Sequence, residues 1–308
     1  MTNLILPSAM NSLRGSLADI ISQGQKRAPY FSVLLSDRHS LEIVGNNREE
    51  RVTERPPHAG TVLSAFDGET MRERTIAGFD RDKVNSAMQE LVSGVSFAKY
   101  APAVSAPRRG DFVTPMQADP STLSVQEKLD RVREMQHFAK GLDPRIVNCQ
   151  MLYRESNEYS VFANQNTDVG QRVLRVVLYM FVFVAGEDGQ VRYNWQSKGA
   201  TGGWEQAQFS EEEMRKVIDG AVALLTAERI EPGEYQFISA PGVSGVIAHE
   251  SFGHGVETDM FIKERAKAAH FIDKVVGSSL VNIYDDPSLP GAYGSFFFDD
   301  EGMESSST

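Results

Sequence analysis

The sequence predicts an α+β protein with two domains, at residues 1–120 and 121–308. The chain has 308 residues, of which 41% are hydrophobic, so it is long enough to form more than one core. Helical and strand-like spacing alternate before residue 120, whereas several long strand-like segments follow residue 144. We therefore expect a domain of helices on an antiparallel sheet, followed by a β-rich domain that carries a short helix with two histidines.

In the first domain, the hydrophobic spacing predicts each element in turn. Apolar residues recur at helical spacing in 13–21, and the strand-like segments 30–36 and 40–45 follow, joined by a polar turn at 37–39. A second pair of strands is predicted around the turn dipeptide Asp67-Gly68, and a helix around 84–91 comes after it. This order gives hairpins alternating with helices.

The connection between the domains is predicted to be irregular. Residues 101–121 are rich in Pro and Ala and follow neither hydrophobic period, so we expect them to cross a surface, with Arg108 and Arg109 solvated. A helix begins again at Ser124, because Ser124 and Glu127 have the spacing of a capping box.

The second domain is predicted to be a β meander that leads to the histidine segment. Ser210 and Glu213 have capping-box spacing and mark one further helix, and residues 234–241 resemble a strand that precedes the histidines. The strand-like segments of the meander are 145–153, 160–165, 172–185 and 191–197.

Composition and charge restrict the partners and the location. Asp and Glu total 42 against 31 Lys and Arg, so the net charge of -11 disfavours direct binding to nucleic acid. The longest apolar run, 173–185, contains Arg175 and is shorter than the roughly 20 residues of a membrane helix. The single cysteine, Cys149, excludes an internal disulfide and is expected to be a small apolar residue on a strand. We expect a cytoplasmic protein with no membrane segment.

The stretch VIAHESFGHGVETD places His249, Glu250 and His254 within a short apolar segment. Buried polar side chains need a partner, and a bound metal would be one. Two histidines with a glutamate beside the first are typical of helix-borne zinc peptidases. However, histidines five residues apart lie about 140° from each other on a straight helix, so we expect the helix to bend or end at Gly253. As a bare pattern, the three residues also fit histidines that are exposed or satisfied in a core.

Two longer stretches resemble the TldD/PmbA family, whose members have been called modulators of DNA gyrase. SAPGVSGVIAHESFGHGVETD is similar to the H-E-x-x-x-H segment of the TldD branch, and VNIYDDPSLPGAYGSFFFDDEG to the segment that follows it. The resemblance implies a zinc metallopeptidase that hydrolyses peptides or unfolded protein segments. It makes His249 and His254 ligands of Zn²⁺ and Glu250 the general base.

The sequence departs from this family at the third metal ligand. The family's ligand is a cysteine near the end of a longer C-terminal domain, so we expect the second domain here to be incomplete. We also expect the chain alone to bind zinc weakly, if at all, and to be inactive or nearly so. Cys149 lies in the wrong region for this role. Glu257 either orients an imidazole, or completes the site, or is a solvated carboxylate. Four other acids are interpreted as turn formers without a catalytic role: Asp285, Asp286, Asp299 and Asp300.

The sequence leaves a second function open. The absent ligand favours a truncated or regulatory family member that binds a partner without hydrolysing peptides. Direct binding to DNA or gyrase is disfavoured by the charge. By resemblance, the expected partners are a peptide or unfolded substrate and a second subunit, in a homodimer or in a heterodimer with a PmbA-like chain.

Overall fold

Two compact units make up the part of the chain that the computed structural model describes, residues 3–95 and 106–307. The first unit comprises the residues up to Ala227 together with Asp286–Ser306, and the second comprises Glu228–Asp285 and the last residues. These units are defined by contacts. The predicted sequence domains, 1–120 and 121–308, stay a prediction.

Helices and strands follow one another along the described chain. The helices are α1 Ser8–Arg14, α2 Leu17–Gln25, α3 Arg81–Leu91, α4 Val125–Gly141, α5 Glu211–Ala223, α6 Pro241–Ser251 and α7 Thr258–Ile262. The strands are β1 Tyr30–Gly45, β2 Glu50–Phe66, β3 Met71–Ala77, β4 Arg108–Val113, β5 Ile146–Ala163, β6 Thr167–Ala185 and β7 Val191–Thr201.

A seven-stranded sheet in the first unit joins all these strands in the order β3-β2-β1-β5-β6-β4. The strand β7 pairs with the part of β6 that β4 leaves free, from Arg175 to Ala185. Every pairing among these strands is antiparallel except that of β4 with β6. Helices combined with a large, mainly antiparallel sheet confirm the α+β class.

The predicted turn at 37–39 is wrong, because β1 runs through it as one strand. Asp37 pairs with Ala59 on β2 and with Tyr159 on β5, so its backbone has neighbours on both sides. The Arg38 guanidinium lies 2.8 Å from the Glu158 carboxylate. Arg38 and Glu158 therefore form a cross-strand ion pair, and the pairing of β1 with β2 shifts its register between Arg38 and Ser40. The chain does not reverse there.

The gap predicted between the strand segments 145–153 and 160–165 is also wrong. The intervening residues continue β5 and pair with β1 and with β6. Arg154, for example, donates to Glu42 on the neighbouring strand at 2.7 Å. Cross-strand ion pairs of this kind allow polar residues inside a long strand, which hydrophobic alternation alone does not reveal.

The long strands of the sheet support two large hydrophobic clusters. The first half of β1 and the last residues of β5 pack with α1, α2 and α3, through residues such as Ile20, Phe31 and Val161. The second half of β1 and the beginning of β5 pack with α4 and α5, through Ile43, Met151 and Val217. The predicted helix at 84–91 is confirmed, and its apolar side chains are buried.

Both predicted capping boxes are present. The Ser124 side chain accepts from Glu127 N at the start of α4, and the Ser210 side chain accepts from Glu213 N at the start of α5. In each case the glutamate carboxylate accepts from the serine backbone N–H in return. The free donors of the first helical turn are thus satisfied by residues that the sequence identifies.

The predicted irregular segment 101–121 contains the strand β4, so this prediction is wrong for residues 108–113. Residues 96–105 lie outside the described residues. Arg108 was expected to be solvated, but its guanidinium donates to the Gly302 carbonyl at 2.9 Å. Sequence spacing could not indicate β4, because this short strand is held by parallel pairing with β6.

The segment after the second unit returns to the sheet and is held by Gln171. The Gln171 amide donates to Phe298 O at 2.9 Å, and its carbonyl oxygen accepts from Phe297 N at 3.0 Å. Asp299 then forms a turn, since its carboxylate accepts from Glu301 N at 2.9 Å and from Met303 N at 2.8 Å. The interpretation of Asp299 as a turn former is confirmed.

The segment that precedes the histidines differs from its prediction. Residues 234–241 were predicted to be a strand, but 234–240 form neither strand nor helix, and Pro241 begins α6. Phe237 in this segment is 73% exposed, and no strand of the described residues packs over it.

Along residues 3–95 and 106–307, no helix has the length and apolarity required to cross a bilayer.

Candidate metal centre

The helix α6 carries His249 and Glu250 in its last turn. Proline suits the first turn of a helix, where its missing N–H leaves no hydrogen bond unmade, and Pro241 occupies this position after the N-cap Ala240. The helix ends at Ser251, and a 3₁₀ turn follows at Gly253–Gly255. The predicted interruption of the helix between the two histidines is therefore confirmed, although it comes before Gly253.

The break itself lies at Phe252, one residue before the glycine. Phe252 has φ -131° and ψ -41°, which are not helical values. Gly253 does not adopt a positive φ, and a Cβ added there would lie 3.6 Å from His249 Nδ1, an ordinary contact. The conformational freedom of glycine, on which the prediction relied, is not required. No sequence signal marks Phe252, since an aromatic residue fits a helix as well as its end.

This break brings the two histidines together. Their ring centroids lie 4.3 Å apart, with the ring planes at 64° to each other. Glu250 Oε2 lies 3.8 Å from His254 Nε2. One ligand atom from each of His249, Glu250 and His254 lies within 4.8 Å of the other two, and we call these residues the three-donor group.

The three-donor group is exposed, which corrects the expectation of a buried polar cluster. The Glu250 and His254 side chains are 65% and 52% exposed. Apolar neighbours on α6 are exposed as well, with Val246 at 58% and Ile247 at 47%. The residues are therefore together because of the backbone path, and burial does not force them to pair.

The chemistry of the group fits zinc. Imidazole nitrogens and carboxylate oxygens are ordinary zinc ligands, and catalytic zinc sites use three protein ligands with an open position. The compact group, with donors from one helix end and the next turn, presents the residue types that such a site requires. His249 and His254 could thus hold a metal ion, with the Glu250 carboxylate beside it either as a further donor or as a base.

Further charged residues lie next to the group. Glu257 Oε1 lies 2.9 Å from His254 Nδ1. Asp259 is paired with Lys263 at 2.6 Å, and this ammonium lowers the pKa of the Asp259 carboxyl. Of Glu257 and Asp259, Glu257 is therefore the acid that contacts a predicted ligand.

Cys149 is buried in β5, as expected for a small apolar residue on a strand. Burial raises the pKa of its thiol to about 12. A zinc ligand has to be a thiolate, so this environment opposes a ligand role. Cys149 lies in the hydrophobic cluster that packs with α4 and α5.

Two family models match this chain. Residues 118–230 match the PmbA/TldA metallopeptidase central domain, and residues 232–308 match the PmbA/TldA metallopeptidase C-terminal domain. The chain belongs to the PmbA/TldD family. The three-donor group lies in the part matched to the C-terminal domain of this family.

Relatives of this family member are named metalloproteases. A metalloprotease of Methanothermobacter thermautotrophicus is 29% identical over 61% of this chain and 41% of its own length. A metalloprotease of Synechocystis sp. is 21% identical over 96% of this chain and 65% of its own length. The chain thus spans about two fifths of the archaeal relative's length and about two thirds of the cyanobacterial one's.

Solved structures share the fold of this chain. The crystal structure of a proposed modulator of DNA gyrase from Bacteroides thetaiotaomicron has a TM-score of 0.74 at 14% identity and covers 99% of this chain and 70% of that chain. TldE from Thermococcus kodakarensis has a TM-score of 0.64 at 14% identity and covers 95% of this chain and 66% of that chain. At this identity, the likeness shows the fold alone.

Proposed function

We propose that this chain carries the metal ligands and the general base of a zinc-dependent peptidase. His249 and His254 are the proposed ligands of Zn²⁺, and Glu250 is the proposed base. The observation that supports this assignment is the three-donor group, whose ligand atoms lie within 4.8 Å of one another. Relatives from Methanothermobacter thermautotrophicus, Synechocystis sp. and Buchnera aphidicola are named metalloproteases, which supports the same reaction class.

Each residue has a distinct part in the proposed reaction. Bound zinc would supply polarisation of the scissile carbonyl and would acidify the attacking water. Glu250 takes the proton from that water, for which its carboxylate is well placed because it is 65% exposed and borders His254 Nε2. The imidazoles of His249 and His254 hold the ion at the helix end.

The proposed substrates are peptides or unfolded protein segments. An exposed group on α6 is open to an extended chain, whereas a folded protein presents few extended segments to such a site. We further propose a homodimer or a heterodimer with a PmbA-like subunit, on the basis of the shared fold with TldE. The cytoplasmic location stays a prediction.

The main experiment separates the roles of base and ligand. Zinc content and hydrolysis of an unstructured fluorogenic peptide are measured for the wild type, Glu250→Gln and His249→Ala, each in a full-length context that supplies the expected third ligand. Glu250→Gln should keep zinc and lose hydrolysis by at least about 100-fold, because its amide fills the same space but cannot accept the proton. His249→Ala should lose both zinc and hydrolysis.

Glu231→Gln serves as the matched control, since it removes one acid from the same unit outside the three-donor group. If Glu250→Gln kept full hydrolysis, a different base would be at work. If Glu250→Gln lost zinc as completely as His249→Ala, Glu250 would be a ligand. A wild type that binds zinc without hydrolysing any peptide, with or without a PmbA-like partner, would favour a non-hydrolytic subunit.

A further inference from the structure

His254 offers two ring nitrogens, and the structure places different carboxylates beside them. Nδ1 lies 2.9 Å from Glu257 Oε1, a hydrogen-bond distance. Nε2 lies 3.8 Å from Glu250 Oε2, on the side of the three-donor group. A neutral imidazole carries its proton on one nitrogen only, so the residue that accepts from Nδ1 leaves Nε2 with the lone pair.

The backbone holds Glu257 and His254 in this arrangement. Glu257 precedes α7, and its carbonyl accepts from Met260 N at 3.0 Å in the first turn of that helix. His254 lies in the 3₁₀ turn, where Val256 N donates to Gly253 O at 3.1 Å. Both ends of the His254–Glu257 contact are thus attached to hydrogen-bonded turns.

Capping does not account for the Glu257 side chain. The residue occupies the N-cap position of α7, where Ser, Thr, Asp and Asn are preferred, and its side chain makes no capping hydrogen bond. The carboxylate instead reaches back to His254. Because Asp259 is paired with Lys263, Glu257 is the acid of residues 257–259 that contacts the His254 imidazole.

We propose that Glu257 is a positioning residue. It holds His254 in the tautomer with Nδ1–H and turns Nε2 toward Glu250, the side of the proposed metal site. This inference rests on the proposed function for its consequence, which is that Nε2 is the ligand atom. Glu257 is then not the third ligand, because its carboxylate lies at the nitrogen that does not face Glu250. Metal-bound histidines commonly donate their second N–H to a carboxylate in this way.

The tautomer is tested directly by NMR on the metal-free chain with ¹⁵N-labelled histidine. The spectra are recorded at about pH 8.5, about two units above the ordinary pKa of an imidazole. Signals of His254 are identified by their loss in His254→Ala. The wild type should show Nδ1 protonated and Nε2 unprotonated. Glu257→Ala should shift His254 toward the other tautomer, whereas Glu257→Gln, which keeps an acceptor oxygen, should retain most of the wild-type pattern.

Zinc affinity, measured by competition with a chromophoric chelator, gives the second result. Glu257→Ala should weaken zinc binding by about tenfold, at the low end of the range for such partners because this contact is exposed. Asp259→Asn is the matched control, with one charge removed from the same segment, and should bind zinc within about threefold of the wild type.

Each outcome decides between the two proposals. A wild-type His254 protonated on Nε2, or a tautomer that Glu257→Ala leaves unchanged, would overturn the positioning role. Loss of zinc in Glu257→Ala as complete as in His254→Ala would make Glu257 a ligand and would also overturn it. A wild type that binds no zinc even when a C-terminal extension or a partner subunit supplies a thiolate would refute the proposed function, while the NMR result would still decide whether Glu257 sets the tautomer.

Discussion

Gly302 ends the turn that Asp299 begins, and its position tolerates no side chain. Its φ is +74°, in the left-handed region, and a Cβ added there would lie 2.2 Å from Cδ1 of Phe162. The Phe162 ring is itself buried, so it has little room to move. Both the backbone angle and the close approach therefore require glycine.

Gly302→Ala should destabilise the protein by at least about 2 kcal/mol, since it combines backbone strain with overpacking. The control is Gly294→Ala, because Gly294 has open space around its Cα and no positive φ. The free energy of unfolding is measured by urea denaturation for both variants. Equal stabilities of the two variants would show that the Phe162 contact does not constrain position 302.

The candidate site shows what residue patterns can and cannot predict. The five-residue spacing of His249 and His254 predicted a break in the helix, because a straight helix cannot bring both imidazoles to one ion. The place of the break, at Phe252, has no such signal. The contact of Glu257 with Nδ1 was one of three alternatives, since spacing places the side chain near the ring without choosing the nitrogen.

At the scale of elements, sequence signals predicted the start of a helix correctly when all the residues involved lie within that helix and its N-cap. Ser124 and Ser210 begin helices as predicted, because a capping box is complete within four residues. The strands β1 and β5 were each predicted as two, because the pairs that continue them, such as Arg154 with Glu42, join residues far apart in the chain. Such pairing depends on the sheet order and cannot be derived from spacing.

The start of α5 should show a clear dependence on pH. The Ser210 backbone N–H, followed by the Lys198 ammonium, lowers the pKa of Glu213 from 4.5 to about 2. A lowered folded-state pKa means that this carboxylate stabilises the fold above pH 4.5, and that the stabilisation is lost as the pH falls toward about 2.

Glu213→Gln should therefore be less stable than the wild type at pH 7, and the difference should disappear as the pH approaches about 2. Thermal unfolding followed by circular dichroism across this pH range measures the difference. Glu211→Gln, which changes an exposed acid in the same first turn of α5, is the control. A Glu213→Gln deficit that is independent of pH would mean that the ionised carboxylate does not provide the stability.

At the scale of the whole molecule, the second unit interrupts the first. The three hydrophobic clusters found in the described chain consist of residues from the first unit, before Ala227 or after Asp286. Among the described residues of the second unit, Ala266 is the one hydrophobic residue that is buried. The core that drives folding is thus supplied by the residues on either side of the segment with the three-donor group.

Replacing Glu228–Asp285 with a flexible Gly/Ser linker of about 20 residues should leave the sheet folded, because closing such a loop costs little more than closing a shorter one. The near-ultraviolet circular dichroism of the aromatic side chains reports on the core, where the centroid of the Trp204 ring lies 4.6 Å from that of Tyr153. The shortened chain with Met151→Asp provides an unfolded reference. A shortened chain that resembled this reference would show that the second unit is needed for folding.

The strand β3 lies at one end of the sheet order and pairs with β2 on one side. A strand edge of this kind is a template on which a further chain can add and polymerise. Along β3, however, Arg72, Glu73 and Arg74 are exposed, and Arg74 lies 2.8 Å from Glu90. An incoming antiparallel copy of β3 centred on Glu73 would set Arg72 against Arg74 and Glu73 against Glu73, so these like charges oppose self-association by strand addition in that register.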